Sequence, residues 1–516
     1  MRRPLAWLFL VTLAAAMPPA SADDPFSSGP PPADSKDEST PDYFKALDMQ
    51  RKGHWKEAQK AFQDLMKKYP NSVHAEDCEL RGGENCYLGC EKLHEGGPSA
   101  RRIDVSVMGD GFQIDPKQQK EGETWAHLAV DVLWNAEYAY SEYKDYFKFY
   151  YVRLASKDEG VDEVLSDEQL KKLEEKNRKK HEKRKPKEFN TALDCKAAGP
   201  QRQVMSDHEL VYTWLAYANK DVPGCGDDGL VIAFAKFGEL GMAELDNGLA
   251  NCGRPDRSVT VHEFGHAFVG LLDEYANQPG PPTYKVRAAN ATSDLTDIPW
   301  QHFIDAKFKG VGTVLGGATY KAGVWRPYPS CAMNSAGASN GYCPVCREAA
   351  VLRIYSYINP IDKTSHLPLS ETKCTLGDDS QIVVTPMQPK THDLKCEWFV
   401  DRLFDSDTAP ERPSDGTTTD GLKASANGSG GSGGRARDPS RKDYDYPPLG
   451  NVSELGKVEK LKGEGTKFIF PTGKLGRGHF QVTCRVWDPC EGVVLKDPYH
   501  LLEERETFFI RVGAKK

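Results

Sequence analysis

The chain has 516 residues, 13 of them cysteine, with 39% hydrophobic and 10% aromatic content and a formal net charge of −8. One hydrophobic core rarely serves more than about 250–300 residues, so several domains are expected. The composition suits a soluble globular protein, and with no basic excess it argues against a nucleic-acid partner.

Residues 1–22 read as an export signal: Arg2 and Arg3, an apolar run from Leu5 to Ala16, then Ala20-Ser21-Ala22 as a small-residue cleavage site. The run is shorter than the about 20 residues a permanent membrane span needs, and no later stretch of that length is free of charge. A secreted or periplasmic protein beginning near Asp23 is therefore expected. In an oxidising compartment the cysteines favour disulfides, with local candidates among Cys78, Cys86 and Cys90, between Cys374 and Cys396, and between Cys484 and Cys490.

Residues 23–42 are rich in Pro, Ser, Asp and Gly and read as a disordered linker. Over 43–70 apolar residues recur at helical spacing on both sides of Gly53-His54-Trp55, and Pro70 closes the second run. This pattern resembles one tetratricopeptide-type helix-turn-helix repeat. One repeat cannot bury its own face, so residues 71–100 are expected to complete a small helical region. That region reads either as a structural cap or as a docking site for a protein partner.

Ile103 to Met108 alternate as a strand into Gly109-Asp110-Gly111, a helical stretch follows at roughly 121–147, and FKFYYVRLA at 147–155 returns as a strand. Strand, helix, strand in that order predicts an α/β domain. The Lys- and Glu-rich run at 157–187 reads as a solvated helical insertion. GLVIAFA at 229–235 resumes strand character, and a new helix opens near Ser258. Beyond residue 370, short β-type runs such as QIVVTP, KCEWFVD and HFQVTCRVWD predict a β-sandwich over 370–516, with a disordered polar loop at 405–450.

The chemistry concentrates in VHEFGHAFVGLLDEY, residues 261–275. His262 and His266 are four apart, so on a helix both imidazoles leave one face and can hold a single Zn2+, while Glu263 can act as the base for the attacking water. Ser258 or Thr260 can cap this helix, and Gly265 leaves room beside the metal. Catalytic zinc takes three protein ligands and keeps one position open. Asp273 is the expected third ligand, three residues after Gly270. Glu274 is the alternative ligand or a partner that orients a histidine, and His302 is a remote candidate.

With DIPW at 297–300, GGATYKAGVWRP at 316–327, CAMN at 331–334, YCPVCREA at 342–349 and the upstream GDG at 109–111, this run is similar to the IgA-peptidase family of zinc metallopeptidases. The similarity covers roughly residues 101–360 in ordered blocks, more specific than a lone HExxH string. It implies a metzincin-like α/β catalytic domain at 101–365, with Met333 in a methionine turn beneath the zinc and an Ig-like β-sandwich following. Metzincins place the glycine one residue earlier than Gly270. Arg257, Tyr275, Trp300 and Tyr342 are candidates to line the cleft or to stabilise an oxyanion. Cys343 and Cys346 form a CxxC pair with Cys331 near in sequence and no companion CxxC, so a disulfide from Cys331 to one of them is expected rather than a structural zinc.

The expected function is therefore that of a secreted zinc endopeptidase acting on protein or peptide substrates. A binding or scaffold protein with a vestigial zinc site, or a zinc hydrolase of a non-protein cell-wall substrate, are the alternatives. The intact Glu263 speaks against the vestigial reading. The helical region and the sandwich are expected to be dispensable for the chemistry.

Overall fold

The computed structural model of the chain describes residues 37–97, 102–135, 139–164, 170–172, 174–176, 188–198, 203–236, 241–243, 245, 247–255, 257–334, 341–378, 380–404, 457–461, 465–494 and 501–514. The expected export signal, the 405–450 loop, the linker up to residue 36 and most of the charged insertion lie outside them, while the last linker residues, Thr40 to Asp42, are helical rather than disordered.

Helices α1 (Thr40–Arg51), α2 (Trp55–Lys68) and α3 (Ala75–Gly82) open the chain. Gly53 turns between the first two at φ +80°, a left-handed conformation that favours glycine. The helical region ends sooner than expected, because residues 86–94 form strand β1 (Cys86–His94) instead. This strand pairs antiparallel with β3 (Phe147–Ala155). The Arg81 guanidinium, almost fully buried, then ties the helices down: it donates to Asp77 at 2.8 Å, to Gln50 at 2.6 Å and across to Asp221 at 3.2 Å.

Between β1 and β3 the chain runs through β2 (Ile103–Asp110) and helix α4 (Pro116–Asp131), whose first turn is capped by Asp115 accepting from the Lys117 amide. The short strands β4 (Asp162–Val164), β5 (Lys196–Ala198) and β6 (Gln203–Met205) make a three-stranded side sheet. Helix α5 (His208–Asp221) leads into β7 (Leu230–Ala235), and β8 (Met242–Ala243) and β9 (Leu249–Cys252) complete the main sheet in the order β1-β3-β2-β7-β9-β8. The four inner strands are parallel and the two edges antiparallel.

β2, β3 and β7 are buried along their whole length, as strands covered on both faces must be. Alternate residues feed two cores. Val105, Val107, Phe149, Tyr151, Ile232 and Phe234 face the side carrying the functional helix, and Met108, Tyr150, Val152, Leu154, Val231 and Ala233 face α5. Asp110, at the end of β2, is fully buried and accepts from the Ser156 and Thr191 hydroxyls and from the Leu193 and Cys195 amides. That network gives the GDG segment a structural role.

Helix α6 (Arg257–Phe264) follows β9 and continues as a π-helical turn, Gly265–Val269. A second sheet comprises β10 (Ala276–Gln278), β11 (Arg287–Ala288), β12 (Ala291–Thr292), β13 (Val314–Gly317) and β14 (Thr319–Arg326). Helices α7 (Gln301–Asp305) and α8 (Pro344–Tyr357) send Phe303, Val345, Cys346, Ala350, Val351 and Ile354 into the same core as α6.

From Ile361 on, two four-stranded sheets share one core. They are β15 (Ile361–Thr364), β17 (Ser380–Pro386), β20 (Gly465–Phe470) and β19 (Lys457–Leu461), and β16 (Glu371–Thr375), β22 (Glu503–Gly513), β21 (Gly478–Trp487) and β18 (Lys395–Phe404). This unit starts earlier than residue 370, because β15 pairs with β17. Asp488 fastens it to the preceding domain, accepting from the Tyr143 hydroxyl at 2.8 Å and the Tyr355 hydroxyl at 2.5 Å. The chain is thus a mixed α/β protein with several sheets, and no described helix is long and apolar enough to cross a membrane.

None of the 13 cysteines is joined in a disulfide. Cys374 and Cys396 cannot pair, because β16 and β18 lie at opposite edges of one sheet with two strands between them. The sulfurs of Cys90 and Cys225, an association not expected from sequence, lie 3.2 Å apart.

Candidate metal centre

The His-x-x-x-His spacing places both imidazoles on the inner side of the helix formed by α6 and its π turn. Their Nε2 atoms are 3.1 Å apart, and Asp273 Oδ1 lies 3.0 Å from that of His262 and 3.2 Å from that of His266. Asp273 therefore occupies the position expected of a third ligand. Zinc bonds of about 2.0–2.1 Å at tetrahedral angles put neighbouring ligand atoms about 3.3–3.4 Å apart, close to this triangle.

The hydrogen bonds behind the histidines sharpen the point. His262 Nδ1 lies 2.9 Å from the Ala332 carbonyl, and His266 Nδ1 lies 2.5 Å from the Leu271 carbonyl. A carbonyl only accepts, so each Nδ1 carries the proton and each Nε2 is left with a lone pair. Two lone pairs and a carboxylate then face one another, an arrangement that needs a cation or an extra proton among them. The electrostatics agree. Burial opposes charge on His262, yet Asp273 and Glu263 push its pKa up to about 9. Burial likewise opposes charge on Asp273, but the two imidazoles, when an extra proton lets them donate to it, hold it well below the usual carboxylate range.

The π turn explains the late glycine. A π turn closes over one residue more than an α turn, so the helix absorbs the extra position and still ends at Gly270. Gly270 adopts φ +75°, and the amides of Gly270 and Leu271 return to the His266 and Gly265 carbonyls, each at 3.1 Å. The chain then reverses through Leu271 to Tyr275, where two devices hold it. Asn290 clamps Leu272, accepting from its amide at 2.9 Å and donating to its carbonyl at 2.8 Å. The Ala318 and Thr319 amides donate to the Asp273 and Tyr275 carbonyls at 2.7 and 3.1 Å. No sequence signal marked Asn290.

Met333 is fully buried beneath the helix, and its carbonyl accepts from the Glu274 amide at 2.7 Å. Gly265 makes this packing possible. A Cβ there would stand 2.6 Å from the Tyr342 hydroxyl and 2.9 Å from the Met333 sulfur. The room that Gly265 leaves is thus for Tyr342 and Met333.

Glu263 is 93% buried, and burial raises its pKa. Gly241, just before edge strand β8, lies against it: a Cβ there would meet Glu263 Cγ at 2.7 Å and the Asn251 carbonyl at 2.2 Å.

The other candidates separate cleanly. Tyr275 stands at the site, its ring stacked toward His262 at 6.3 Å, and burial together with the nearby Asp273 carboxylate raises its pKa. Tyr342 is buried and donates to the Val261 carbonyl at 2.8 Å, holding the helix rather than lining a cleft. Trp300 is fully buried with its indole nitrogen on the Gly312 carbonyl at 2.8 Å. His302 pairs with Glu348 at 2.6 Å, so it is not the remote ligand. The side chains of Arg257 and Ser258 lie outside the described residues.

Glu274 turns away from the histidines. Its Oε1 lies 3.2 Å from the Cys346 sulfur, 3.9 Å from that of Cys343 and 3.2 Å from Asn290 Nδ2. It is therefore not a ligand in the histidine cluster. The expected disulfide from Cys331 is not formed, since its sulfur lies 3.7 Å from that of Cys346 and the carboxylate shares their pocket. No family model matches the chain, and no curated protein matches it significantly.

Proposed function

We propose that the chain is a zinc-dependent endopeptidase with a metzincin-like catalytic domain, exported from the cytoplasm and followed by an Ig-like sandwich. The observation that carries the reading is the convergence of His262, His266 and Asp273 within hydrogen-bonding distance, with both Nδ1 atoms on carbonyls, each Nε2 turned toward Asp273, and Glu263 beside them.

A zinc ion held by these three residues would supply Lewis acidity, activating water and polarising a substrate carbonyl. The Ala332 and Leu271 carbonyls orient the imidazoles. Glu263 takes the proton from the attacking water and returns it to the leaving amine. Burial brings its pKa toward the operating pH, as a group that both accepts and donates requires. β8 ends the main sheet and packs against the Glu263 side. The tetratricopeptide-like helices, anchored through Arg81, serve as a cap on the main sheet.

The test is a cleavage profile on a proteome-derived peptide library, comparing the native chain with Glu263→Ala. Site-specific cleavage by the native protein alone is expected. Equal activity of the two, or none from zinc-loaded native protein, would overturn the reading.

A further inference from the structure

Glu274, Cys331, Cys343 and Cys346 come from three separate stretches of chain, and one ligand atom from each lies within 4.8 Å of all the others. All four side chains are buried, with Glu274, Cys331 and Cys346 at 0% exposure and Cys343 at 3%. Bonds of about 2.3 Å to sulfur and 2.0 Å to oxygen put sulfurs about 3.8 Å apart, and sulfur and oxygen about 3.5 Å apart, around a tetrahedral zinc ion. The Cys331 and Cys346 sulfurs are 3.7 Å apart, and Glu274 Oε1 stands 3.2 Å from the Cys346 sulfur and 3.9 Å from that of Cys343.

A second observation points the same way. Glu274 Oε2 is buried with no hydrogen-bond partner among the described residues. Among the described residues, the only other partner of Oε1 is the neutral amide of Asn290 at 3.2 Å. A carboxylate in such a place calls for a cation, and three thiols supply the remaining ligands of a closed set of four. A disulfide between two of the cysteines would leave that carboxylate facing oxidised sulfur and one lone thiol.

We propose that Glu274, Cys331, Cys343 and Cys346 bind a second zinc ion, a structural one, whose four protein ligands leave no open position for substrate. The site fastens together the parts that position the first cluster. Glu274 follows Asp273, and Cys331 precedes Ala332, whose carbonyl orients His262 at 2.9 Å. The ion thus pins the turn carrying Met333 to the loop carrying the third histidine-cluster ligand. A structural ion in this position needs no catalytic role for the histidine cluster, so the inference is independent of the peptidase reading.

The test uses the full mature chain, purified with zinc and without reductant. Two zinc ions per chain are expected, with X-ray absorption showing sulfur scatterers at about 2.3 Å. A His262→Ala/His266→Ala double variant should keep one zinc with a sulfur-rich shell. After chelation and denaturation, still without reductant, Cys331, Cys343 and Cys346 should all alkylate as free thiols. A disulfide among these three would overturn the proposal, as would a folded double variant without zinc or with zinc lacking sulfur ligands. Cys343→Ser should lose the sulfur-bound zinc and keep the other; should it fail to fold, the metal content and alkylation pattern of the native chain still decide. Native protein holding one zinc, retained in the double variant, would sink the peptidase centre and leave this site standing.

Discussion

Asp273 and Glu274 are consecutive in the chain, yet their carboxylates enter different clusters: Asp273 Oδ1 lies 3.0 Å from His262 Nε2, and Glu274 Oε1 lies 3.2 Å from the Cys346 sulfur. The backbone between them is held from both sides. The Asp273 carbonyl accepts from the Ala318 amide at 2.7 Å, and the Glu274 amide donates to Met333 at 2.7 Å. The extended chain therefore sends one side chain to each side, and neither carboxylate can serve the other cluster without breaking those bonds.

Asp273→Ala should accordingly lower zinc occupancy at the histidine cluster by well over 100-fold in affinity and abolish cleavage, since two histidines alone hold zinc poorly. Asp273→Asn, which keeps an oxygen in place, should retain more metal than the alanine variant. Competition with a chelator on folded protein measures both. Equal affinity of Asp273→Ala and native chain would remove Asp273 from the ligand set.

Gly265→Ala tests the packing beneath the helix. The added methyl would sit 2.9 Å from the Met333 sulfur and 2.6 Å from the Tyr342 hydroxyl, both in a core with little slack. Overpacking of this kind costs about 1–3 kcal/mol. A lowered melting temperature with weakened activity is expected, and relief by a second change, Tyr342→Phe, should be partial because it removes only the hydroxyl contact. No loss of stability would mean that the turn at Met333 moves freely.

Much of this site is legible in the chain itself, because helical periodicity alone brings His262 and His266 together and a glycine marks where the helix must end. Asp273 follows from the same local geometry. What sequence could not supply was contact between distant segments. Asn290 clamps Leu272 with no pattern to announce it. Cys331, Cys343 and Cys346 read as a disulfide candidate because their fourth neighbour, Glu274, is 57 residues before Cys331. Strand β1 does not announce itself, because Cys86 to His94 shows no strict alternation and its place is set by pairing with β3. That pairing also changes what can be removed. A chain cut to 101–365 would lose an edge strand of the main sheet and the Asp488 contacts to Tyr143 and Tyr355, so it is expected to fold poorly.

Cys90 and Cys225 offer a separate test. Their sulfurs, 3.2 Å apart, join the edge strand β1 to the segment before β7 across 135 positions of sequence. Under oxidising conditions peptide mapping without reductant should recover a Cys90–Cys225 disulfide. A loop of this length predicts stabilisation of about 3–5 kcal/mol. Cys90→Ser should then lower the melting temperature without reductant and change little with it. Free thiols at both positions after prolonged oxidation would contradict the pairing.

The last prediction concerns pH and lies away from both metal clusters. Asp104 sits in the fully buried strand β2, its Oδ1 without a hydrogen-bond partner among the described residues, and its amide donates to Asp228 Oδ2 at 2.7 Å. Burial, with the charges of Asp228 and Asp227 added, pushes Asp104 up to about 8 against the opposing pull of Lys148. An unfolded aspartate titrates near about 3.9. Below that value the group is protonated in both states and costs folding nothing. Between about 4 and 8 the unfolded chain gives up the proton that the folded chain keeps, so unfolding becomes easier as pH rises, by at most about 1.4 kcal/mol per pH unit for one such group. Above the folded value the loss levels off. Asp104→Asn carries no charge to bury and should flatten this part of the curve. With zinc held constant, native protein should lose melting temperature steadily from pH 6 to 8, and the variant should lose less and be the more stable of the two at the upper end. Parallel curves would show that Asp104 is ionised in the folded protein, with Lys148 outweighing the burial.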